Sequence, residues 1–283
     1  MFIDLHTHST ISDGTYTPTE LVEYAIEKEL KVIALTDHDS VSGIDEFLRA
    51  SQKHKYLIAV PGVEISVSKG SNEIHIVGLF VDHKSESLNR LLCEVRKHRD
   101  DRNIKIIEKL NKLGYDITID EVIEVASGTT VGRPHFAKVL IEKGYFKNSQ
   151  DVFDECLKRG QAGYAHRILP SFSRGIREIH EAGGIAIWAH AVWRKKNERS
   201  FVRNTLNKLI KADIDGIETQ YTSFNEKQSA MLKEMADEYG LLESGGSDFH
   251  GENQPSIDLA VGYGDLKVPY EFYEKMLLTM NNE

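Results

Sequence analysis

The chain has 283 residues, enough for one large hydrophobic core or for one core with an inserted subdomain. Its 40% hydrophobic and 28% charged residues are ordinary for a globular protein, and no apolar stretch is long enough to span a membrane. The net charge of −9 argues against broad, sequence-independent binding of nucleic acid, but it does not exclude a small anionic substrate. The N-terminus does not resemble a signal peptide, so we expect a cytoplasmic protein.

The two cysteines, Cys93 and Cys156, lie in helix-like stretches and neither has a CxxC partner. We expect two reduced thiols, with a single disulfide as the alternative.

The first part of the chain alternates strand and helix signals. Thr17-Pro18-Thr19-Glu20 predicts a helix start, with Thr17 as N-cap, Pro18 at the first helical position and Glu20 three residues after the cap. A further helix is predicted over 42–53. Apolar runs predict strands at 2–5, 32–35, 57–60, 64–67 and 75–80.

From residue 88 to about 167 the chain is rich in charged residues at helical periodicity and has few strand signals. We predict a helical insert (lid) subdomain over 88–167, which divides a domain formed by 1–87 and 168–283. In the second part, strands are predicted at 184–189 and 216–218 and helices at 201–212 and 225–239. Repeated βα units favour a parallel barrel or a doubly wound sheet.

Two histidine clusters lie at opposite ends of the chain. His6 and His8 follow the first strand, and at a period of two both imidazoles point to the same side and can reach one ion. Asp248 and His250 repeat this spacing after a glycine-rich turn. Either pair alone is a weak signal, because structural or surface histidines are common.

Further ligating side chains follow other predicted strands. His38, between two aspartates, comes directly after the strand at 32–35, and Glu64 lies in an apolar stretch where an unpaired carboxylate is costly. His75 and His190 border apolar strands, and each alone is more typical of a hydrogen-bonded core residue. Random histidines would not gather at the ends of successive βα units, so together these residues predict a metal site.

Taken together, these motifs strongly resemble the PHP family, which is named for its polymerase and histidinol-phosphatase members. The matching segments cover almost the whole chain in the family's order. They are DLHTHSTISDG at 4–14, LTDHDSVSG at 35–43, PGVEIS at 61–66, EIHIVGLF at 73–80, GRPHFAKVL at 132–140, AGGIAIWAHA at 182–191 and GSDFHG at 246–251.

The resemblance implies an α/β fold, a distorted (β/α)7 barrel with a helical insert, and two to three divalent metal ions at its mouth. The implied ligands of the first ion are His6, His8, Glu64 and Asp248. Those of the second are Glu64, His75 and His190, with Glu64 bridging, and those of the third are Asp13, His38 and His250. Such mixed histidine and carboxylate ligation suits Mn²⁺, Fe²⁺ or Zn²⁺.

The implied activity is hydrolysis of a phosphoester by a metal-activated hydroxide, held at His6, His8, Glu64 and Asp248. Three aspartates, Asp4, Asp37 and Asp39, are candidates for orienting the imidazoles, although helix caps or surface charges explain them equally well.

Arg133 and His135 belong to the insert, and Arg133 can bind phosphate through two hydrogen bonds. The resemblance implies that the insert grips a second phosphate of the substrate, as in enzymes acting on nucleoside 3′,5′-bisphosphates or trimming short RNA from the 5′ end. The alternative for Arg133 is a salt bridge at a helix start. Ala191 replaces the usual proline after the histidine matching His190, which predicts altered loop rigidity with the ligand retained.

The leading hypothesis is therefore a phosphoesterase acting on a small nucleotide or a short oligoribonucleotide, with no extended nucleic-acid surface and no membrane partner. A histidinol phosphatase or another small-molecule phosphatase is a close alternative. An amidohydrolase that cleaves C–N bonds and a non-catalytic metal-binding module are the alternatives from other classes.

Overall fold

The computed structural model describes residues 2–70, 72–126, 130–192 and 198–281. Within them the chain forms one eight-stranded sheet surrounded by helices. The strands are β1 (Phe2–Asp4), β2 (Val32–Leu35), β3 (Ile58–Lys69), β4 (Asn72–Leu79), β5 (Ile185–Trp188), β6 (Gly216–Tyr221), β7 (Leu242–Gly246) and β8 (Val268–Pro269).

The strand order is β7-β6-β5-β4-β3-β2-β1-β8, and the sheet curls into a nearly closed barrel. Beyond the ladder of β1, the N–H of Leu5 donates to the carbonyl of Gly245 at 3.1 Å, and the N–H of His8 donates to Phe249 at 3.0 Å. These bonds join the first and seventh strands and bring the two ends of the chain together. The predicted α/β barrel is confirmed.

The barrel is not entirely parallel, which repeated βα units alone did not predict. β4 runs antiparallel to both β3 and β5, and β8 runs antiparallel to β1. β3 is also one continuous strand, whereas the sequence predicted two separated at Pro61-Gly62. Position 62 within this strand requires glycine, because a Cβ there would be 2.8 Å from a side-chain methyl of Thr36 and 2.9 Å from the carbonyl oxygen of Gly78.

The helices cover the outside of the sheet and form the segment between β4 and β5. They are α1 (Pro18–Glu27), α2 (Ile44–Ser51), α3 (Glu86–Lys112), α4 (Ile119–Ala126), α5 (Arg133–Glu142), α6 (Ser149–Val152), α7 (Phe172–Glu181), α8 (Glu198–Leu209), α9 (Glu226–Tyr239) and α10 (Tyr270–Met280). The predicted start of α1 is confirmed: Thr17 and Glu20 form a capping box, and Pro18 is the first helical residue.

Alternation along the strands divides the core into layers. On β2, Ile33 and Leu35 pack with the outer helices, whereas Val32 and Ala34 pack inside with residues of β1, β5 and α10. A third hydrophobic cluster belongs to α3–α6 and includes Ile106, Leu110 and Phe136 among its buried residues. The boundaries at residues 88 and 167 stay a prediction, since a helical segment with its own cluster does not fix where a subdomain ends.

Both cysteines are free, with Cys93 exposed and Cys156 buried, so the prediction of reduced thiols agrees with the structure. Among the described residues, each helix is too short or too polar to cross a membrane.

Candidate metal centre

The nine predicted ligands come together at one edge of the barrel, where β1, β2, β5 and β7 end. β4 contributes from its beginning, because its antiparallel direction brings its start to the same edge. The positions are His6 and His8 after β1, Asp13 in the following loop, His38 after β2, Glu64 within β3, His75 within β4, His190 after β5, and Asp248 and His250 after β7.

Four of these side chains form a closed cage. The Nε2 atom of His6 lies 3.5 Å from Oε2 of Glu64 and 3.4 Å from Oδ1 of Asp248, and Nε2 of His8 lies 3.4 Å and 3.0 Å from the same two oxygens. All four atoms are buried and make no well-oriented hydrogen bond in the described part of the chain. Ligands about 2.1 Å from a tetrahedral ion are about 3.4 Å apart, so the cage fits a divalent metal.

The second carboxylate oxygen of Glu64 faces two other imidazoles. Its Oε1 lies 2.9 Å from Nδ1 of His75 and 2.9 Å from Nε2 of His190. Oε2 is also 2.7 Å from Nδ1 of His38. The carboxylate therefore presents its two oxygens to two separate groups of imidazoles, which is the arrangement that a bridging ligand requires.

A third group lies on the other side of His8. Oδ1 of Asp13 is 3.3 Å from Nε2 of His250, and Oδ2 is 3.7 Å from Nε2 of His38. Nδ1 of His250 is 2.7 Å from the carbonyl oxygen of Asp248, which as a hydrogen-bond acceptor directs Nε2 toward Asp13. Asp13, His38 and His250, with His8, can therefore hold an additional ion.

Burial and neighbouring charges determine protonation in the cluster. Burial opposes ionisation of Glu64, but the imidazoles of His38 and His75 hold the pKa of its carboxyl well below the usual range. Burial and the neighbouring charges of His250 and His38 lower the pKa of His8 to about 3. An ionised Glu64 and a neutral His8 are the forms in which these side chains bind metal.

Sequence reasoning missed Glu218 and Tyr221, both on β6. Oε1 of Glu218 lies 2.7 Å from Nδ1 of His6, and its Oε2 accepts the backbone N–H of His190 at 2.6 Å. The hydroxyl of Tyr221 donates to Oδ2 of Asp248 at 2.7 Å. The signal for Glu218 was available, because a carboxylate near the end of an apolar strand is the pattern that identified Glu64.

The three aspartates considered as partners of imidazoles have other roles in the described residues. Asp4 accepts N–H groups of the backbone at residues 6, 247 and 260 and the hydroxyl of Ser247, which ties β1 to the segments after β7. Asp37 binds the hydroxyls of Ser9 and Ser12. In the described residues none of the three aspartates is hydrogen-bonded directly to an imidazole, but Asp37 reaches His8 through Ser12, whose hydroxyl lies 3.4 Å from Nδ1 of His8.

Asp39 is an arginine-binding residue. Its Oδ2 accepts from Arg99 at 2.5 Å and from Arg167 at 2.7 Å, and its Oδ1 accepts the N–H of Ser66. Burial raises the pKa of this carboxyl, but the two guanidinium groups outweigh that effect and lower it to about 2. The ion pairs connect the loop of His38 to α3 and to the segment before α7.

The two predicted substrate-binding residues lie near the start of α5. Arg133 is half-buried, with its guanidinium over the ring of Tyr164 at 5.8 Å and Nη1 3.5 Å from the carbonyl oxygen of Leu157. Nδ1 of His135 accepts the N–H of Gly132 at 3.1 Å. In the described residues, neither side chain has a hydrogen bond or ion pair with the nine predicted ligands.

The segment before α5 contacts the rim of the metal centre. The N–H of Thr130 donates to the carbonyl of Ser12 at 3.0 Å, next to Asp13. Burial lowers the pKa of His135, and Asp13 acts in the opposite direction, so the two side chains are within electrostatic reach of each other. The start of α5 is therefore close to the group of Asp13 without being part of it.

Two of the predicted ligands have a left-handed backbone conformation. The φ angles are +34° at His190 and +58° at Asp248, and neither residue is glycine. Such conformations are unfavourable for residues with a Cβ and occur at functional sites where the surrounding structure holds them. Here the N–H of His190 is held by Glu218, and the N–H of Asp248 is held by the carbonyl of His6 at 2.9 Å.

Comparison with known proteins gives consistent results. The chain matches the PHP domain family over residues 4–240. It is 36% identical over 247 residues to the 5′-3′ exoribonuclease of Haemophilus influenzae, covering 87% of this chain and 89% of that protein. It is 32% identical over 258 residues to the 3′,5′-nucleoside bisphosphate phosphatase of Chromobacterium violaceum, covering 91% and 90%. A solved structure from Bifidobacterium adolescentis, assigned as a metal-dependent phosphoesterase, is similar with a TM-score of 0.84 and 29% identity, covering 98% and 95%.

Proposed function

The chain belongs to the PHP domain family and is a metal-dependent phosphoesterase, and we propose that its substrate is a nucleoside 3′,5′-bisphosphate or a short oligoribonucleotide. The observation that carries the chemistry is the cage of four buried ligand atoms, which make no well-oriented hydrogen bond in the described residues. The choice of substrate rests on the named activities of the relatives and on the arginines of the helical segment.

The residues present fit two or three divalent ions. His6, His8, Glu64 and Asp248 would hold the first ion, in the cage described above. Glu64 with His75 and His190 would hold the second, and Asp13, His38 and His250 the third. Imidazole and carboxylate ligands together favour Mn²⁺, Fe²⁺ or Zn²⁺, because Mg²⁺ and Ca²⁺ prefer sites made only of oxygen.

When bound, such ions supply a water nucleophile that is active near neutral pH and neutralise charge on the phosphoryl group. The residues of the chain orient the ligands for this chemistry. Glu218 accepts a hydrogen bond from Nδ1–H of His6, which leaves the lone pair of Nε2 to face the cage. The hydroxyl of Tyr221 binds one carboxylate oxygen of Asp248 and leaves the other for the ion.

Arg133 and His135 would bind the phosphate that is not hydrolysed. Both lie at the start of α5, which is joined to the barrel mouth by the bond between Thr130 and Ser12. A guanidinium can donate two parallel hydrogen bonds to a phosphate, which gives the site a preference for substrates with a second phosphate. Arg133→Ala should raise KM for a bisphosphate and leave KM for a monophosphate nearly unchanged. Equal effects on both substrates would refute this role.

The proposal is tested by turnover of the metal-loaded protein. A nucleoside 3′,5′-bisphosphate, a 5′-phosphorylated oligoribonucleotide, histidinol phosphate and an amide substrate are offered in parallel, with Mn²⁺, Fe²⁺ and Zn²⁺ tested separately. We expect release of phosphate from the bisphosphate or of nucleotides from the RNA. Turnover of histidinol phosphate alone would favour the small-molecule phosphatase, and turnover of the amide alone would favour an amidohydrolase.

The variant Asp248→Ala separates catalysis from folding. It should abolish phosphoester hydrolysis while the circular dichroism spectrum is unchanged, because it removes one wall of the cage. Asp237→Ala removes the same charge from an exposed position on α9 and should retain full activity. Near-normal turnover by Asp248→Ala would contradict the ligand assignment, and a metal-loaded wild-type protein without any turnover would favour a non-catalytic module.

A further inference from the structure

Asp13 is held differently from the other two predicted carboxylate ligands. Its carboxylate lies 3.3 Å from Nε2 of His250 and 3.7 Å from Nε2 of His38, and Oδ1 is buried without a well-oriented hydrogen bond. In the residues that the structure describes, the polar groups that face this carboxylate are imidazoles. Its position is therefore determined by the backbone that carries it.

The other two carboxylates have additional support. Asp248 accepts from the hydroxyl of Tyr221 at 2.7 Å, and its N–H is bound by the carbonyl of His6 at 2.9 Å. Glu64 lies in the ladder between β3 and β4, whose register determines the face to which its side chain points. Asp13 lies in a loop, so no sheet register determines where its side chain points.

Asp13 and His250 belong to the loops that follow the first and seventh strands. We call residues 9–16 the β1 loop and residues 249–254 the β7 loop. Nδ2 of Asn253 in the β7 loop donates to the backbone carbonyl oxygen of Asp13 at 2.8 Å. This hydrogen bond ties the backbone of one predicted ligand to the loop that carries another.

The two loops also pack closely around this hydrogen bond. The N–H of Glu252 donates to Oγ1 of Thr15 at 2.9 Å. Gly251 has a left-handed φ of +64°, and a Cβ at this position would overlap with the hydroxyl of Thr15. The ring centroids of Tyr16 and Phe249 are 5.3 Å apart. These contacts hold Asn253 against the β1 loop.

The conformation of the β1 loop links the backbone of Asp13 to its carboxylate. The N–H groups of Ser12 and Gly14, on either side of Asp13, both donate to the carbonyl of Ser9, at 3.0 Å and 2.9 Å. These bonds close a tight turn. A shift of the Asp13 carbonyl within such a turn also moves the Cα and the side chain of that residue.

A local role does not explain Asn253. Asparagine in a turn normally forms hydrogen bonds with the backbone of its own segment. Asn253 ends a short 3₁₀ helix (Gly251–Asn253), yet its side-chain donor binds a residue 240 positions away in the chain. The hydrogen bond therefore connects the two loops at a residue that carries a predicted ligand.

We propose that Asn253 is a positioning residue for the third ion: it holds the backbone of Asp13 in the place where the carboxylate faces His38 and His250. In the described residues the side chain of Asn253 binds none of the ligands of the first two ions, so its effect is confined to the third. This inference rests on the proposed function, because the third ion belongs to the metal centre proposed there.

The first test measures metal binding by Asn253→Ala. Metal-free wild type and variant are titrated with Mn²⁺, and the bound metal per chain is counted at each free concentration. Wild type should bind three ions. The variant should bind the third ion about three- to tenfold more weakly, because a hydrogen bond between neutral groups at an exposed position contributes modestly. The affinities for the first two ions should not change.

The matched control is Ser256→Ala, which removes an exposed polar side chain just after the β7 loop. This variant should bind all three ions as wild type does. An unchanged affinity of Asn253→Ala for the third ion, or equal losses of affinity for all three ions, would overturn the proposal.

A double-mutant cycle separates the positioning of Asp13 from a general effect on the fold. Asp13→Ala removes the carboxylate of the third site. In that background Asn253→Ala should cause no further loss of metal, because its effect acts through Asp13. A further loss of the remaining ions would show that Asn253 supports the fold of the whole metal centre, which would overturn the proposal.

Counting bound metal does not depend on the substrate. A wild-type protein that binds three ions but hydrolyses neither a bisphosphate nor RNA would refute the proposed substrate and not the role of Asn253. A wild-type protein that binds only two ions at saturating Mn²⁺ would refute the third site and overturn the role of Asn253.

Discussion

Glu218 offers a sharp test of how the metal centre is held. Its two carboxylate oxygens accept two different donors, Nδ1–H of His6 at 2.7 Å and the backbone N–H of His190 at 2.6 Å. Glutamine has nearly the same shape but only one acceptor oxygen, so in Glu218→Gln one of the two donors faces an NH₂ group. Both donors belong to residues of the proposed metal centre, so the glutamine weakens the metal centre in either orientation of its amide.

The expected loss of metal affinity follows from the position of Glu218, which contacts a predicted metal ligand, His6, rather than the ion itself. Removing such a partner typically lowers metal affinity or activity about 10- to 100-fold, which corresponds to about 1.4–2.8 kcal/mol. We expect a loss in this range for metal affinity, measured as metal content after dialysis against buffers of defined free metal. A parallel loss is expected in kcat/KM at subsaturating metal.

The matched control is Glu243→Gln on β7, the strand adjacent to β6. Glu243 is also buried, but it accepts from the hydroxyl of Thr219 at 2.9 Å and from Nζ of Lys233 at 2.8 Å, away from the imidazoles. This variant should keep wild-type metal affinity even if its Tm falls. The reasoning would be refuted if Glu218→Gln folded normally and bound metal within twofold of wild type.

Three further outcomes are expected. Chelation should abolish activity and lower Tm, since metal at 100 times its Kd stabilises the folded state by about 2.7 kcal/mol; a Tm unaffected by chelator would count against a metal centre. Tyr221→Phe removes the hydroxyl that binds Asp248 and should weaken metal binding about tenfold, whereas unchanged metal content would show that the hydroxyl is dispensable. Gly246→Ala places a Cβ 2.5 Å from the backbone nitrogen of His6 and should cost roughly 1–3 kcal/mol with partial loss of metal; calorimetry showing an unchanged Tm would contradict this close approach.

The sequence was most informative where residue type and strand position act together. His6 and His8 follow an apolar strand at a period of two, and Glu64 lies within another, so their position at one edge of a barrel follows from the alternation of strands and helices. The start of α1 was equally predictable, because Thr17 and Glu20 act locally. Such features depend on few residues that are close in the chain.

The direction of β4 could not be predicted in this way. Strand periodicity is the same for parallel and antiparallel neighbours, and the hairpin between β3 and β4 depends on a short turn rather than on the strands themselves. This direction matters for the site, because it brings the beginning of β4, with His75, beside Ser66 and the end of β5. His75 stays a predicted ligand, and strand-end reasoning alone does not account for its position within β4.

The burial of Arg102 on α3 shows a different limit. Arginines on a helix with many charged residues are normally exposed, and residue type alone does not distinguish Arg102 from Arg90 on the same helix. Its burial depends on how α3 packs against other segments, including the one that carries Arg167 more than sixty residues later. Charge and periodicity together nevertheless contain a usable signal, because Arg102 lies seven residues after the buried Val95. A charged residue at an apolar position of a regular helix is therefore a candidate for burial, which its charge alone would not predict.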